Sequence, residues 1–348
     1  MSDTLVFPPN PVADETFGGW IWVGDRWAPN LLGVNPQSGM GNIGRNLVDN
    51  AMFNILQRGT GPWTVPLSYT ADRWQMFFQG GSATTIWEPA VDTVRSQVGD
   101  ESLIGALVCT FVGGTDAAAE DGTQILQPIE GVQRLSGKRV IVSFYAASVP
   151  EPLRLGVGFI QIFGAGGSEP VVVPFQGVNL TTNWGPRYSL TFDIPSSIGK
   201  VIGTDATDHT AFYFSLSHST IEPGIQSGTI GIWGVQVEIA QAGQVEASPL
   251  EKLDPEADFM RCQRFFFNVT AGLGGYSPEG LMVPAGNNRA MAVVMRAAPT
   301  VTLQTFGLIN VLQVIVAGSD PFSVATGVAL ISPGQFLWNG VMQCSADL

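Results

Sequence analysis

Arg139–Ala146 reads RVIVSFYA and Thr229–Ile239 reads TIGIWGVQVEI. In an extended chain successive side chains point to opposite faces, so Val140, Val142, Phe144 and Ala146 share one side of the first stretch. Three further stretches have the same character: Arg154–Phe163 (RLGVGFIQIF), Tyr188–Ile194 (YSLTFDI) and Ala211–Leu216 (AFYFSL). Leu190, Phe192 and Ile194 share a face of the second of these. Gly, Pro, Asn and Asp separate the stretches at the spacing of a sandwich. The pattern predicts a two-sheet antiparallel jelly roll over 46–252, its strands buried on one side.

The composition agrees with an all-β chain. Among 348 residues, 42 are Gly and 23 Pro, while only 13% are charged, too few to give a helical bundle its charged outer faces. A net charge of −13 argues against nucleic acid or an anionic membrane as partner, since both need clustered Lys and Arg. Cys109, Cys262 and Cys344 are odd in number and far apart, without a CxxC pair, and read as buried thiols. The first residues, MSDTLVFPPNPVADE, lack the basic start and apolar stretch of a signal peptide. No apolar run approaches the ~20 residues that span a bilayer. A soluble chain made in the cytoplasm is expected.

Outward from the sandwich, residues 1–45 read as an extended Trp-rich appendage. Val23-Gly24-Asp25-Arg26 is a tight-turn sequence, with Gly24 suited to the positive φ of a II′ turn. In that register Trp22 faces Trp27, an aromatic pair contributing about 0.5–1 kcal/mol. Beyond the sandwich, residues 253–268 read as a linking helix. Asp254 caps it, Pro255 takes the first position, and Glu256 and Asp258 favour the dipole. FMRCQRFF continues the helix, with Phe259, Cys262 and Phe266 on one face. Residues 269–348 read as a small C-terminal β domain, strand-like in AMAVVMRAAPTVTL, INVLQVIVA, VATGVALI and QFLWNGVMQCSADL. No fixed repeat stands out.

Little catalytic chemistry is visible. His209 and His218 have no GxSxG nucleophile elbow beside them. The oxygens of Gly203-Thr204-Asp205-Ala206-Thr207-Asp208-His209 lack EF-hand spacing and read as a solvated turn. Gly164–Gly167 and Gly272–Gly275 lack the P-loop Lys and Ser/Thr and read as turns. No catalytic, metal or cofactor-binding residue is assigned, and no cofactor is expected.

The stretch Asn46–Trp74, NLVDNAMFNILQRGTGPWTVPLSYTADRW, resembles the opening of tailed-bacteriophage virion proteins of the tail-fibre and head-fibre type. The ordered residues are Asn46, Asn50, Phe53, Gln57-Arg58-Gly59-Thr60 and Tyr69-Thr70-Ala71-Asp72-Arg73-Trp74. Leu135-Ser136-Gly137-Lys138 before RVIVSFYA, WGPRYSLTF from Trp184, Gly203-Thr204-Asp205, Ile232 to Glu238, Ser248-Pro249-Leu250-Glu251 and Arg261 to Phe266 follow in the same order, as do Val294 to Val301 and Ser345 to Leu348. Leu56 and Leu250 depart from the usual aromatics.

The resemblance implies a jelly roll like that of carbohydrate-binding modules and a non-enzymatic fibre or decoration subunit of the virion, made in the host cytoplasm. It implies attachment through the N-terminal portion, with Trp20, Trp22 and Trp27 as attachment residues, to capsid, neck or tail proteins. A homo-oligomer, by analogy a trimer, is expected, without membrane insertion. Host surface glycans are the alternative partner, contacted through the flat faces of Trp63 and Trp184 in turn-rich contexts. A polysaccharide depolymerase is the minor alternative. Trp74, Trp87 and Trp233 are expected in the core. Arg58 and Arg73 are expected as buried anchors bonded to carboxylate and backbone, with the adjacent Asp72 and Arg73 on opposite faces of a strand.

Overall fold

The computed structural model describes residues 16–17, 20–22, 27–29, 44–241, 243–277, 282–290, 294–309, 311–321, 323–330 and 334–347. The chain is mostly β. At its start β1 (Thr16–Phe17), β2 (Trp20–Trp22) and β3 (Trp27–Pro29) pair antiparallel, with Trp22 opposite Trp27. The turn at 23–26 lies outside the described residues, as do the side-chain contacts of Trp20, Trp22 and Trp27.

The sandwich is built from β4 (Ser68–Tyr69), β5 (Gln75–Gln79), β6 (Ser82–Pro89), a short helix α1 (Asp92–Val98), β7 (Gly105–Val112) and β8 (Gly122–Glu130). It continues through β9 (Arg139–Val149), β10 (Arg154–Ile162), β11 (Val171–Asn179), β12 (Arg187–Asp193), β13 (His209–His218) and β14 (Ser227–Ile239). One sheet has the order β11-β10-β13-β8-β5-β4 and the other β12-β9-β14-β7-β6. From β7 onward the chain alternates between the sheets in jelly-roll order, apart from the β10–β11 hairpin within the six-stranded sheet, and β4 to β6 extend both edges. Helix α1 was not foreseen; it ends at Gly99, whose φ of 71° suits glycine.

Between the sheets lies a cluster of aromatic rings. Phe212 and Phe214 of β13 are 4.8 Å apart, Phe144 is 4.9 Å from Phe214, and Trp74 stacks on Phe214 at 6.2 Å. Val140, Val142, Phe144 and Ala146 are all fully buried here, as the alternation of β9 predicts. Their neighbours depart from the expectation of one-sided burial. Ile141 and Ser143, on the outward side of β9, are also fully buried. The cover is the segment after β14. Ser248 N–H donates to Glu238 Oε1 at 2.7 Å and Glu251 N–H to Gln236 Oε1 at 2.7 Å, while Arg187 spans from Ser143 Oγ to the Ser248 carbonyl. Where β7 leaves β14, residues 46–51 take its place: Leu47 N–H bonds the Val237 carbonyl and Val235 N–H that of Ala51. Asn46 and Asn50 hold this crossing. Asn46 Nδ2 donates to the Val235 carbonyl, and Asn50 Nδ2 to those of Ile55 and Asp72. These two motif residues are therefore structural.

Helix α2 (Pro255–Gln263) starts as expected, with the Asp254 carboxylate accepting from the N–H groups of Glu256 and Ala257. It ends sooner than FMRCQRFF suggests. Phe266 already belongs to the strand β15 (Phe266–Ser277), so it does not share a helix face with Cys262, and Phe259 is 39% exposed. Pairing of β15 with twelve residues of the last strand outcompetes another helical turn. Gly272–Gly275 lie within β15 and not in a turn, because the same ladder holds their backbone.

The C-terminal region adds β16 (Met282–Ala290), β17 (Thr300–Ile309), β18 (Val311–Asp320), β19 (Ser323–Leu330) and β20 (Gly334–Ser345). They form two three-stranded sheets, β15-β20-β17 and β16-β19-β18. AMAVVMRAAPTVTL is not one strand. β16 ends at Ala290, residues 296–298 bend ahead of Pro299, and β17 starts at Thr300. All three cysteines are buried free thiols, and among the described residues no helix is long and apolar enough to cross a membrane.

Candidate functional site

In β13 the sequence AFYFSL sends Phe212 and Phe214 into the core, so Tyr213 faces outward by simple alternation. The same parity turns Phe77 of β5, Leu126 of β8 and Gly158 of β10 outward. Across the six-stranded sheet the registers align Gln75, Leu126, Tyr213 and Gly158 in one row and Phe77, Gln124, Ser215 and Gly156 in the next.

Phe175 completes the first row. It sits at the irregularity of β11 opposite Gly158, and a Cβ on Gly158 would come within 2.6 Å of its ring. The Phe175 and Tyr213 rings are 6.0 Å apart, tilted by 55°. Phe77, Phe175 and Tyr213 are all half-buried, each presenting part of a flat apolar surface. Desolvation by burial pushes the Tyr213 phenol above its ordinary pKa, so it stays a neutral donor and acceptor.

A charged rim borders this face. Arg154 Nε and Nη2 hold the Glu222 carboxylate at 2.7 and 3.0 Å, and Arg154 Nη1 reaches Asn179 Oδ1 at 2.9 Å. The pair lies over Gly177, where a Cβ would meet Glu222 Oε2 at 2.3 Å. The hydrogen bond from Arg154 draws the Glu222 pKa below its ordinary value. Partly exposed aromatic rings, Gln75 (its Nε2 bonded to the Leu67 carbonyl at 2.9 Å) and a fixed ion pair thus lie along one face, the mixture on which polar ligands with apolar faces are held.

Trp63 and Trp184 are on the other sheet, and the structure does not bring them into this surface. Trp63 bridges β6 through hydrogen bonds with Thr85 (2.8 and 3.0 Å), its ring half-buried against the core. The half-buried Trp184 ring lies against Gly231, where a Cβ would come within 2.5 Å of it. The Trp184 backbone N–H donates to Gln97 Oε1 of α1 at 3.1 Å. Trp74 and Trp233 are fully buried, and Trp87 is half-buried against the core.

The arginine anchors are present. Arg73 is 2% exposed, donating to Asp49 Oδ2 at 3.1 Å and to the Pro128 carbonyl at 2.7 Å. Arg58 pairs with Asp72 and Asp347 and lies 3.5 Å from the Phe266 ring centroid. The expectation of a strand at this point fails. Residues 71–73 form a turn, closed by Trp74 N–H to the Ala71 carbonyl, in which Arg73 takes a φ of 72°. Asp72 still diverges from Arg73, accepting from Gln57 N–H and Nε2, both at 2.7 Å. Burial raises its pKa to about 6, against the pull of Arg58 and Gln57.

The two histidines contact residues of their own loops, His218 Nδ1 lying 3.3 Å from Thr220 Oγ1. His209 Nδ1 is 2.7 Å from the Thr207 carbonyl, and burial lowers its pKa. His218 accepts from Thr220 N–H at 3.2 Å. In the 203–209 loop Asp205 accepts from the N–H groups of Ala165 and Thr207, and Asp208 from that of Val132. No group of three metal-ligating side chains converges among the described residues.

No family model and no curated protein matches the chain. Among solved structures, the chain is similar to the enzymatically active domain of tailspike protein 4 of bacteriophage CBA120. That match has 15% identity and a TM-score of 0.33 and covers 56% of this chain but 21% of the other. The chain thus spans about a fifth of the tailspike's length. It is also similar to the family 11 carbohydrate-binding module of Clostridium thermocellum, solved with a β-1,3-1,4-mixed-linked tetrasaccharide (9% identity, TM-score 0.31, 51% of this chain and 95% of that one). The C-terminal family 22 carbohydrate-binding module of a Clostridium thermocellum protein matches at 11% identity and TM-score 0.30, over 56% of this chain and 100% of that one.

Proposed function

We propose that the chain is a non-enzymatic structural subunit of a tailed-phage virion that attaches through its N-terminal portion and displays a saccharide-binding jelly roll. The observation that carries the binding part is the outward row of Tyr213 and Phe175 with Phe77 beside it, on a sheet whose other face is the core. Sugars present CH-rich faces that such rings cover with little loss of side-chain freedom, while amide groups select hydroxyls. The virion part is supported by the ordered motifs from Asn46 to Leu348. Several of these, Asn46, Asn50, Arg58 and Asp72, prove to be the bonds that close this fold. A trimer and attachment through Trp20, Trp22 and Trp27 belong to the same proposal.

The non-enzymatic part is supported by histidines that bond to their own loops and by carboxylates that cap backbone N–H groups. The test is incubation of the purified protein with host surface polysaccharide, measuring retention and released reducing ends. Binding without reducing ends is expected. Reducing ends would establish a depolymerase, and no binding would leave a scaffold without a glycan site.

A further inference from the structure

A cavity of about 250 Å³ lies where the six-stranded sheet meets the end of α2. It is lined by Asp49, Arg73, Glu130, Arg134, Arg261 and Arg264, together with Pro128 and Phe265. Four arginines face two carboxylates, a formal surplus of two positive charges, on a chain whose net charge is −13.

The two carboxylates are already shared. Asp49 takes Arg73 at 3.1 Å and Arg261 at 2.6 Å; Glu130 takes Arg264 at 2.5 Å and Arg296, from the C-terminal region, at 3.8 Å. Arg134 is exposed at the cavity and has no carboxylate partner among the described residues. Arg73 is nearly fully buried, its guanidinium carbon 3.3 Å from the Phe265 ring centroid, and its Nη1 lacks a hydrogen-bond partner. Among the described residues Arg134 is thus left without a carboxylate and Arg73 Nη1 without a partner, and the cavity lies beside both residues.

We infer that this cavity binds the carboxylate of an acidic sugar, a uronate or sialate residue of a larger saccharide. Guanidinium forks match carboxylates in two-point geometry, and the volume is that of a single ring rather than a chain. The position fits the same ligand. Pro128 is two residues along β8 from Leu126 on the same face, about 7 Å, and Leu126 is the register neighbour of Tyr213. The cavity therefore borders the same strand as the aromatic row. The choice of a sugar rests on the function proposed above, while the preference for an anion rests on the arginines alone.

The test is calorimetric titration of the full chain with a glucuronate-containing disaccharide, sialyllactose, their neutral analogues and inorganic phosphate. At least tenfold tighter binding of an acidic sugar than of its neutral analogue is expected, and the preference should shrink as salt rises from 50 to 300 mM through screening. Arg134→Ala, whose exposed position leaves folding intact by circular dichroism, and Arg264→Gln should each reduce the preference without weakening the neutral analogue. Equal affinities, or a silent Arg134→Ala, overturn the inference; binding then lost only in Tyr213→Ala leaves the aromatic face standing. Acidic sugars that bind with Tyr213→Ala silent support the cavity and sink the aromatic face. Phosphate binding without sugar binding, or no binding at all, overturns the inference.

Discussion

The two sheets of the sandwich share a core but treat their outward faces differently. On the five-stranded sheet that face is closed: Ile141, Ser143 and Trp233 are fully buried beneath the segment running to Glu251 and the crossing at 46–51. On the six-stranded sheet Phe77, Phe175 and Tyr213 are half-buried among buried neighbours, with the Arg154–Glu222 pair at their edge. An apolar group that the chain itself covers contributes to stability. One that the chain leaves uncovered is available to something else.

The largest effect should come from opening the closed face. Trp233→Ala removes a fully buried indole and should cost about 3–5 kcal/mol in urea unfolding; a cost below 1 kcal/mol would mean that the covering segment contributes little.

Next in size is a pH effect at the turn that leads into β5. The Asp72 carboxyl, at about 6 when folded against an ordinary 3.8, keeps its proton between pH 4 and 6 while the unfolded chain has released it. This group therefore favours the folded state at low pH, and its contribution is lost as pH rises through 6, by up to about 3 kcal/mol. Exposed carboxylates such as Glu222, whose pKa is lowered, act in the opposite sense, so the quantity to measure is the difference in unfolding free energy between parent and Asp72→Asn. That difference should shift in favour of Asp72→Asn from pH 4 to 7; a flat difference would refute the assignment.

A smaller, sharper comparison uses one glycine on each face. Gly231→Ala forces the Trp184 ring off the closed sheet and should cost about 1–3 kcal/mol. Gly158→Ala displaces Phe175 from the open sheet and should cost less stability while weakening saccharide binding severalfold. Thermal melts and titrations of the two variants separate the faces; equal stability losses with no binding change would erase the distinction.

How much of this was legible in the sequence follows from which side of each strand is covered. β9, β10, β12, β13 and β14 were readable because their core-facing residues are large and alternate or run together. β8, GTQILQPIE, gave no such pattern, since eight of its nine residues are buried on one face or the other. The start of α2 was readable from Asp254 and Pro255, but its end was set by the pairing of β15 with β20, which local sequence does not record. The aromatic face had one visible signal, the tyrosine between the phenylalanines of AFYFSL. Phe77 and Phe175 join it only through strand order and an irregularity in β11. Trp63 and Trp184 are tryptophans among turn residues, a context that does not encode how much of each ring the core takes.

The most direct test of the central claim is the affinity of host surface polysaccharide for the parent chain, Tyr213→Ala and Trp184→Ala, measured side by side with the melting temperature of each. At least a tenfold loss is expected in Tyr213→Ala, equivalent to about 1.4 kcal/mol, with its fold retained, and little change in affinity for Trp184→Ala beyond its loss of stability. Binding that survives Tyr213→Ala and disappears in Trp184→Ala would place the ligand on the five-stranded sheet and contradict it.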